Sequence, residues 1–163
     1  MMKKLLVILF LAVPVFAADE MRKLDWWVGE WSGNASIRMG PGEPQQVLQS
    51  EKVQSKLGGR ALLVEGVGKE GGEVVHQALG VVSYNERTKK YEFDAWTARD
   101  GHTDAWFEVG ENGSATWGFD TPQGAKIRYA IGRTEKGEWH EVGEYSRDGK
   151  QWMKFFEMTL TRK

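Results

Sequence analysis

The chain has 163 residues, no cysteine, 22 basic and 23 acidic residues and a formal net charge of −1. Its Lys and Arg residues form no block of like charge, so there is no electrostatic footprint for nucleic acid or anionic lipid, and a disulfide framework is excluded. The core alone must hold the fold, and one domain near this length buries roughly 68–70% of the surface its unfolded chain exposes.

The first stretch reads as a targeting segment. Met1-Met2-Lys3-Lys4 is a short positive region, Leu5 to Phe16 is apolar, and Val15-Phe16-Ala17 has small residues where signal peptidase reads. Cleavage is expected after Ala17, which makes residues 1–17 a signal peptide and 18–163 the single mature domain, exported to the periplasm or beyond. The apolar run is shorter than the roughly 20 residues that cross a bilayer, and Pro14 interrupts it, so no membrane association is expected after cleavage. Losing Lys3 and Lys4 moves the net charge from −1 to −3.

A short helix is expected from Asp19 to Trp27, with Met21, Leu24 and Val28 spaced to lie against a larger body. After it come about ten segments with period-two hydrophobicity at hairpin spacing, the pattern of half-buried antiparallel strands. Trp31, Gly33, Ala35, Ile37 and Met39 share one face of the first strand. The second, near Gln45 to Leu57, aligns Val47, Gln49, Glu51, Val53 and Leu57. Arg60 to Lys69 is the third, and Gly71-Gly72 turns the chain into a fourth that aligns His76, Ala78, Gly80, Val82 and Tyr84. Tyr91, Phe93, Ala95, Thr97 and Arg99 share a face of the fifth; Ala105, Phe107 and Val109 follow, then Asn112-Gly113, a hairpin signal. Ala115, Trp117 and Phe119, then Ile127, Tyr129 and Ile131, mark the next two strands. A two-residue turn at Asp148-Gly149 would put Trp139, Glu141, Gly143 and Tyr145 on one face with Trp152, Lys154, Phe156 and Met158; a three-residue turn would shift that register by one. The fold class is therefore all-β, an antiparallel up-and-down barrel with a short N-terminal helix, because closing a meander leaves no bare edge.

Three segments, Leu57 to Gly66 (LGGRALLVEG), Trp139 to Glu144 (WHEVGE) and Phe155 to Arg162 (FFEMTLTR), resemble a family of bacterial exported proteins that carries only a domain-of-unknown-function label. The resemblance implies a lipocalin-like, calycin-type barrel, and Gly29-Glu30-Trp31 after a short helix is similar to the Gly-x-Trp entry of lipocalins. The haem-binding nitrobindins resemble this fold too, but their Tyr-Pro-Thr-containing entry is absent after Trp31 and no histidine stands in the last strand. No cofactor is expected, and haem is not supported.

Eight tryptophans read either as a stacking cavity for an apolar ligand or as core filling. Trp96 and Trp106 fall on the polar faces of their strands, as rim or oligomer contacts. Glu51, His76, Arg99 and Glu141 sit in phase with apolar neighbours, and an unpaired charge inside a barrel is costly, so they should pair with one another or meet a ligand's polar end. Arg99 with Glu141 or Glu51 is the obvious ion pair. The aromatic lining expected around them is Tyr84, Phe93, Phe107, Tyr129, Trp139 and Phe156.

Other constellations carry less. His76, His102 and His140 lack zinc-ligand spacing, no Gly-x-Ser-x-Gly segment exists, and Glu141 with Glu157 would be a pair for acid–base work. The leading functional expectation is a barrel that binds a small apolar or amphipathic molecule. An isomerase- or lyase-type barrel enzyme is the alternative, and a structural barrel with a filled core is the third. A carboxylate or histidine of shifted pKa inside the barrel would separate the first two.

Overall fold

A computed structural model describes residues 16–38 and 40–163. The expected leader, residues 1–17, lies outside these apart from its last two residues, and so does Met39. Helix α1 (Phe16–Arg22) is followed by a 3-10 turn at Asp25–Trp27 and ten strands: β1 (Gly29–Ile37), β2 (Gln45–Lys56), β3 (Ala61–Glu70), β4 (Glu73–Asn85), β5 (Lys90–Thr97), β6 (Gly101–Val109), β7 (Ala115–Asp120), β8 (Lys126–Arg133), β9 (Trp139–Ser146) and β10 (Met153–Arg162). Each strand pairs antiparallel with the next, and β1 pairs with both β2 and β10, so the meander closes on itself.

The single expected helix is two pieces. Backbone N–H groups of Lys23, Leu24 and Trp27 donate to carbonyls three residues back, which tightens the chain into 3-10 geometry and leaves Met21, Leu24 and Trp27 all buried. These cap one end of the barrel. Tyr91 of β5 donates to the Glu20 carbonyl at 2.9 Å, and Trp26 Nε1 donates to the Gly113 carbonyl in the β6–β7 turn at 2.8 Å. Arg162, at the far end of the chain, donates to the Val28 and Trp26 carbonyls and stacks on Trp31 at 4.4 Å.

Turn chemistry follows the glycines. Gly71 and Gly72 both have positive φ (59° and 93°), the requirement of a tight two-residue hairpin. Asn112-Gly113 is different: Gly113 alone has positive φ, and it donates to the Gly110 carbonyl while Gly110 donates to that of Ser114. The same pattern recurs at Thr121–Ala125 and Thr134–Glu138, with Gly124 and Gly137 in the equivalent place. All three are turns closed by a left-handed glycine.

The Asp148-Gly149 hairpin does not form as expected. Only Gly149 has positive φ, whereas a tight type I′ turn needs two such residues. The Asp148 carboxylate instead accepts from the Lys150 and Gln151 backbones at 2.8 and 2.9 Å, widening the connection to residues 147–152. Trp152 therefore falls outside β10, where Arg128 stacks on it at 3.8 Å. Lys154 pairs across from outward Glu144, and an irregularity at Phe155 returns Phe156 to the inward face opposite Gly143. Two other strand ends come earlier than expected: Leu57 follows β2 at 79% exposure, and β5 stops at Thr97, which leaves Arg99 in a turn.

Trp31, Val53, Val82, Phe93, Phe107, Ile131, Trp139 and Leu160 are buried together below the helical cap. Toward the opposite end, inward positions such as Ala78, Ala95, Thr97, Trp117, Tyr129 and Phe156 are only half-buried. Since these face the barrel axis, their exposure is to an interior open at the end away from α1. Trp96 and Trp106, exposed as expected, stand on the outer wall: Trp106 lies over Gly118, and Trp96 packs beside His102.

Candidate functional site

Alternation in β2 points Val47, Gln49, Glu51 and Val53 inward. Glu51 is set opposite Gly66 of β3, and its carboxylate occupies the space a Cβ there would fill. The Gln49 amide donates to Glu51 Oε1 at 2.7 Å. Burial pushes the Glu51 carboxyl up to about 7, and the Gln49 hydrogen bond offsets only part of that.

Glu141 enters from β9, three positions around the wall across β1 and β10, and is 6% exposed. Two indoles address it, Trp139 Nε1 donating to Oε2 at 3.2 Å and Trp117 Nε1 to Oε1 at 3.4 Å. Burial, reinforced by the nearby charge of Glu51, pushes its carboxyl up to about 8 against those two hydrogen bonds. The Tyr129 hydroxyl is also held well above its ordinary value, by burial and then by Glu141. No ion pair among the described residues involves Glu51 or Glu141.

Aromatic rings run from the cap toward the open end beside this pair. Phe93 meets Phe107 at 5.3 Å and Trp117 at 5.0 Å; Trp117 stacks on Tyr129 at 4.2 Å and 10°; Tyr129 meets Phe156 at 5.8 Å. Glycines make the room: Gly80 lies under Phe93, and Gly143 under Tyr129 and Phe156.

Of the four polar residues singled out, the fold brings only Glu51 and Glu141 together. Arg99 is an exposed turn residue without an ion pair to either, because β5 ends before it. His76 keeps its inward phase opposite Gly68 but stands exposed at the open rim; partial burial lowers its pKa against the nearby Asp100 charge. Glu157 is on the outer wall with Lys154 and His140, at 2.6 and 3.2 Å, so it cannot act with inward Glu141. Among the aromatics, Phe93, Phe107 and Trp139 are core, Tyr84 packs on Tyr91 near the cap, and Tyr129 and Phe156 line the open part. Gln49 and Trp117 belong to the site although sequence reasoning did not select them for it. Their signal was phase, since Gln49 alternates with Glu51 and Trp117 with Ala115.

No group of three or more potential metal ligands occurs among the described residues. Two depressions of about 440 and 390 Å³ lie against the outside of the barrel, one over Asn34, Ser36 and Thr159, the other beside Leu79 and Trp96. Neither is lined by Glu51 or Glu141, and both are open and shallow, so the interior pair is the better candidate on its chemistry.

The chain matches the family described as "Protein of unknown function (DUF1579)" over residues 17–162. No curated protein is significantly similar to it. Among solved structures it is similar to the S-type phycobiliprotein lyase of Guillardia theta, with a TM-score of 0.60 at 10% identity, covering 90% of this chain and 93% of that one. At that identity the likeness is one of fold.

Proposed function

The chain belongs to the DUF1579 family, whose description gives no activity, so its function has to be read from its own interior, and we propose that it binds a small apolar or amphipathic molecule inside the barrel. One observation carries this reading: two carboxylates without ion-pair partners face an interior whose aromatic wall is half-buried toward the open end. A purely structural interior would gain from replacing such acids with apolar residues, because buried charge without a partner is costly. The lyase with the same fold adds an analogy of architecture only. The proposal includes export, on the strength of the positive, apolar and small-residue order of residues 1–17. Native mass spectrometry of protein purified from its own host tests the binding reading. A co-purifying small molecule that Glu141→Gln no longer retains supports it; a folded protein that carries nothing, and whose tryptophan emission no amphipathic probe alters, counts against it.

A second reading, proton transfer on the bound molecule, is favoured by the raised carboxyls themselves, since an acid near neutral pKa can donate and accept at physiological pH. Glu141, protonated, would be the donor and Glu51 the acceptor. Chemical change of a co-purified ligand on incubation with the native protein, absent with Glu51→Gln, is the result this reading requires.

A further inference from the structure

We infer that the barrel's ligand is an organic cation, a protonated or quaternary amine on an apolar or aromatic body, with its charged head between Glu51 and Glu141 and its body against Trp117, Tyr129 and Phe156. This rests on the reading that the interior binds a small molecule, and it names the chemistry of that molecule.

Among the described residues every group that donates to the two acids is neutral: the Gln49 amide to Glu51, and the Trp117 and Trp139 indoles to Glu141. Among the described residues the one other charge that Glu141 feels appreciably is that of Glu51, Glu51 itself is shifted by burial and its Gln49 hydrogen bond alone, and Tyr129 faces Glu141 as a neutral phenol. Arg99, the cation that alternation offered for this place, is in a turn, and His76 answers to Asp100 at the rim. An anionic head would meet two acids here with no counter-ion beside them, and would oppose their ionisation. A cationic head meets two carboxylates. The position of Glu51 depends on Gly66 having no side chain, so the acid occupies a recess shaped for it.

Proton linkage gives the inference a signature that general hydrophobic binding lacks. Both carboxyls are held above the ordinary carboxylate range, so at neutral pH the pair retains part of its protons. A cation seated between them favours the ionised forms and expels protons as it binds. An uncharged ligand does not.

Three probes that share a phenylalkyl body separate the possibilities: phenethylammonium, phenethyl alcohol and phenylpropionate, titrated calorimetrically into the full-length purified protein. The amine should bind about tenfold or more tighter than the alcohol, and its binding enthalpy should vary with the ionisation enthalpy of the buffer in the sense of proton release. Glu51→Gln and Glu141→Gln keep side-chain shape, and each should weaken the amine by about tenfold while leaving the alcohol nearly unchanged. Phenylpropionate binding as tightly as the amine, or an amine affinity indifferent to both substitutions, overturns the inference. If the alcohol and the acid bind and the amine does not, the cation is wrong and the barrel reading stands. If none of the three binds to folded protein, both fall.

Discussion

The Glu51 carboxylate lies over Gly66, where a Cβ would stand 2.7 Å from Oε1 and 3.0 Å from Oε2. What matters at position 66 is the space above it and not the backbone conformation, since its φ is not in the left-handed region. The two residues are cross-strand partners on β2 and β3, so the acid's position is set by pairing and by the absent side chain together. Gly66→Ala should push the carboxylate away from Gln49 and cost about 1–3 kcal/mol, the usual penalty for inserting a methyl group into a packed interior. Urea unfolding measures it. An unchanged midpoint would show that Glu51 moves aside freely.

The raised carboxyls make stability fall with pH. Glu51 and Glu141 hold protons in the folded state that the unfolded chain, with ordinary glutamates near 4.5, has already released. Their contribution is complete below about that pH and is lost as pH rises through about 7 and then 8. Glu20, Asp148 and Glu157 are shifted downward, so they act at lower pH. His76 works in the opposite sense within the window, but at an exposed rim. The unfolding free energy from urea titrations should drop between about pH 5 and pH 9 by an amount on the order of a few kcal/mol, and Glu141→Gln should flatten the profile. A midpoint that rises with pH across this range contradicts the burial of the pair.

Arg162 fastens the segment that leads into β1. It donates to the Val28 and Trp26 carbonyls, both at 2.6 Å, and covers the Trp31 ring at 4.4 Å, while Gly29 leaves room for the guanidinium. Because Arg162 is itself exposed, water can replace part of what is lost, and Arg162→Leu should destabilise by about 1–2 kcal/mol. Arg162→Lys should recover little, since an ammonium cannot fork to two carbonyls while lying flat on an indole. A lysine variant melting with the wild type would mean that charge alone suffices.

Arg99→Met should change neither the unfolding midpoint nor the binding of any interior ligand, because Arg99 is an exposed turn residue. Surface changes away from special contacts fall within about ±0.5 kcal/mol. Calorimetric titration of phenethylammonium into both proteins checks this directly. Weakened binding in the variant would place Arg99 at the barrel's contents.

Alternation along each segment determined which residues face inward, and with it the all-β class, the antiparallel meander and the inward acids at 51 and 141. That much is local, since side chains two apart share a face whatever the rest of the chain does. Where a strand stops is not local in the same way. Arg99 keeps the phase of Tyr91, Phe93, Ala95 and Thr97, yet the chain turns before reaching it, and the Asp148 side chain claims backbone donors that a tighter hairpin would have left free. Partnership was decided only by the tertiary structure. Glu51 and Glu141 are brought into each other's field by closure of the barrel through β1 and β10, and Glu157, in step with neither, is turned outward to Lys154 and His140. Sequence periodicity specifies a face, whereas the register and closure of ten strands specify which faces meet, and the raised carboxyls arise from that meeting.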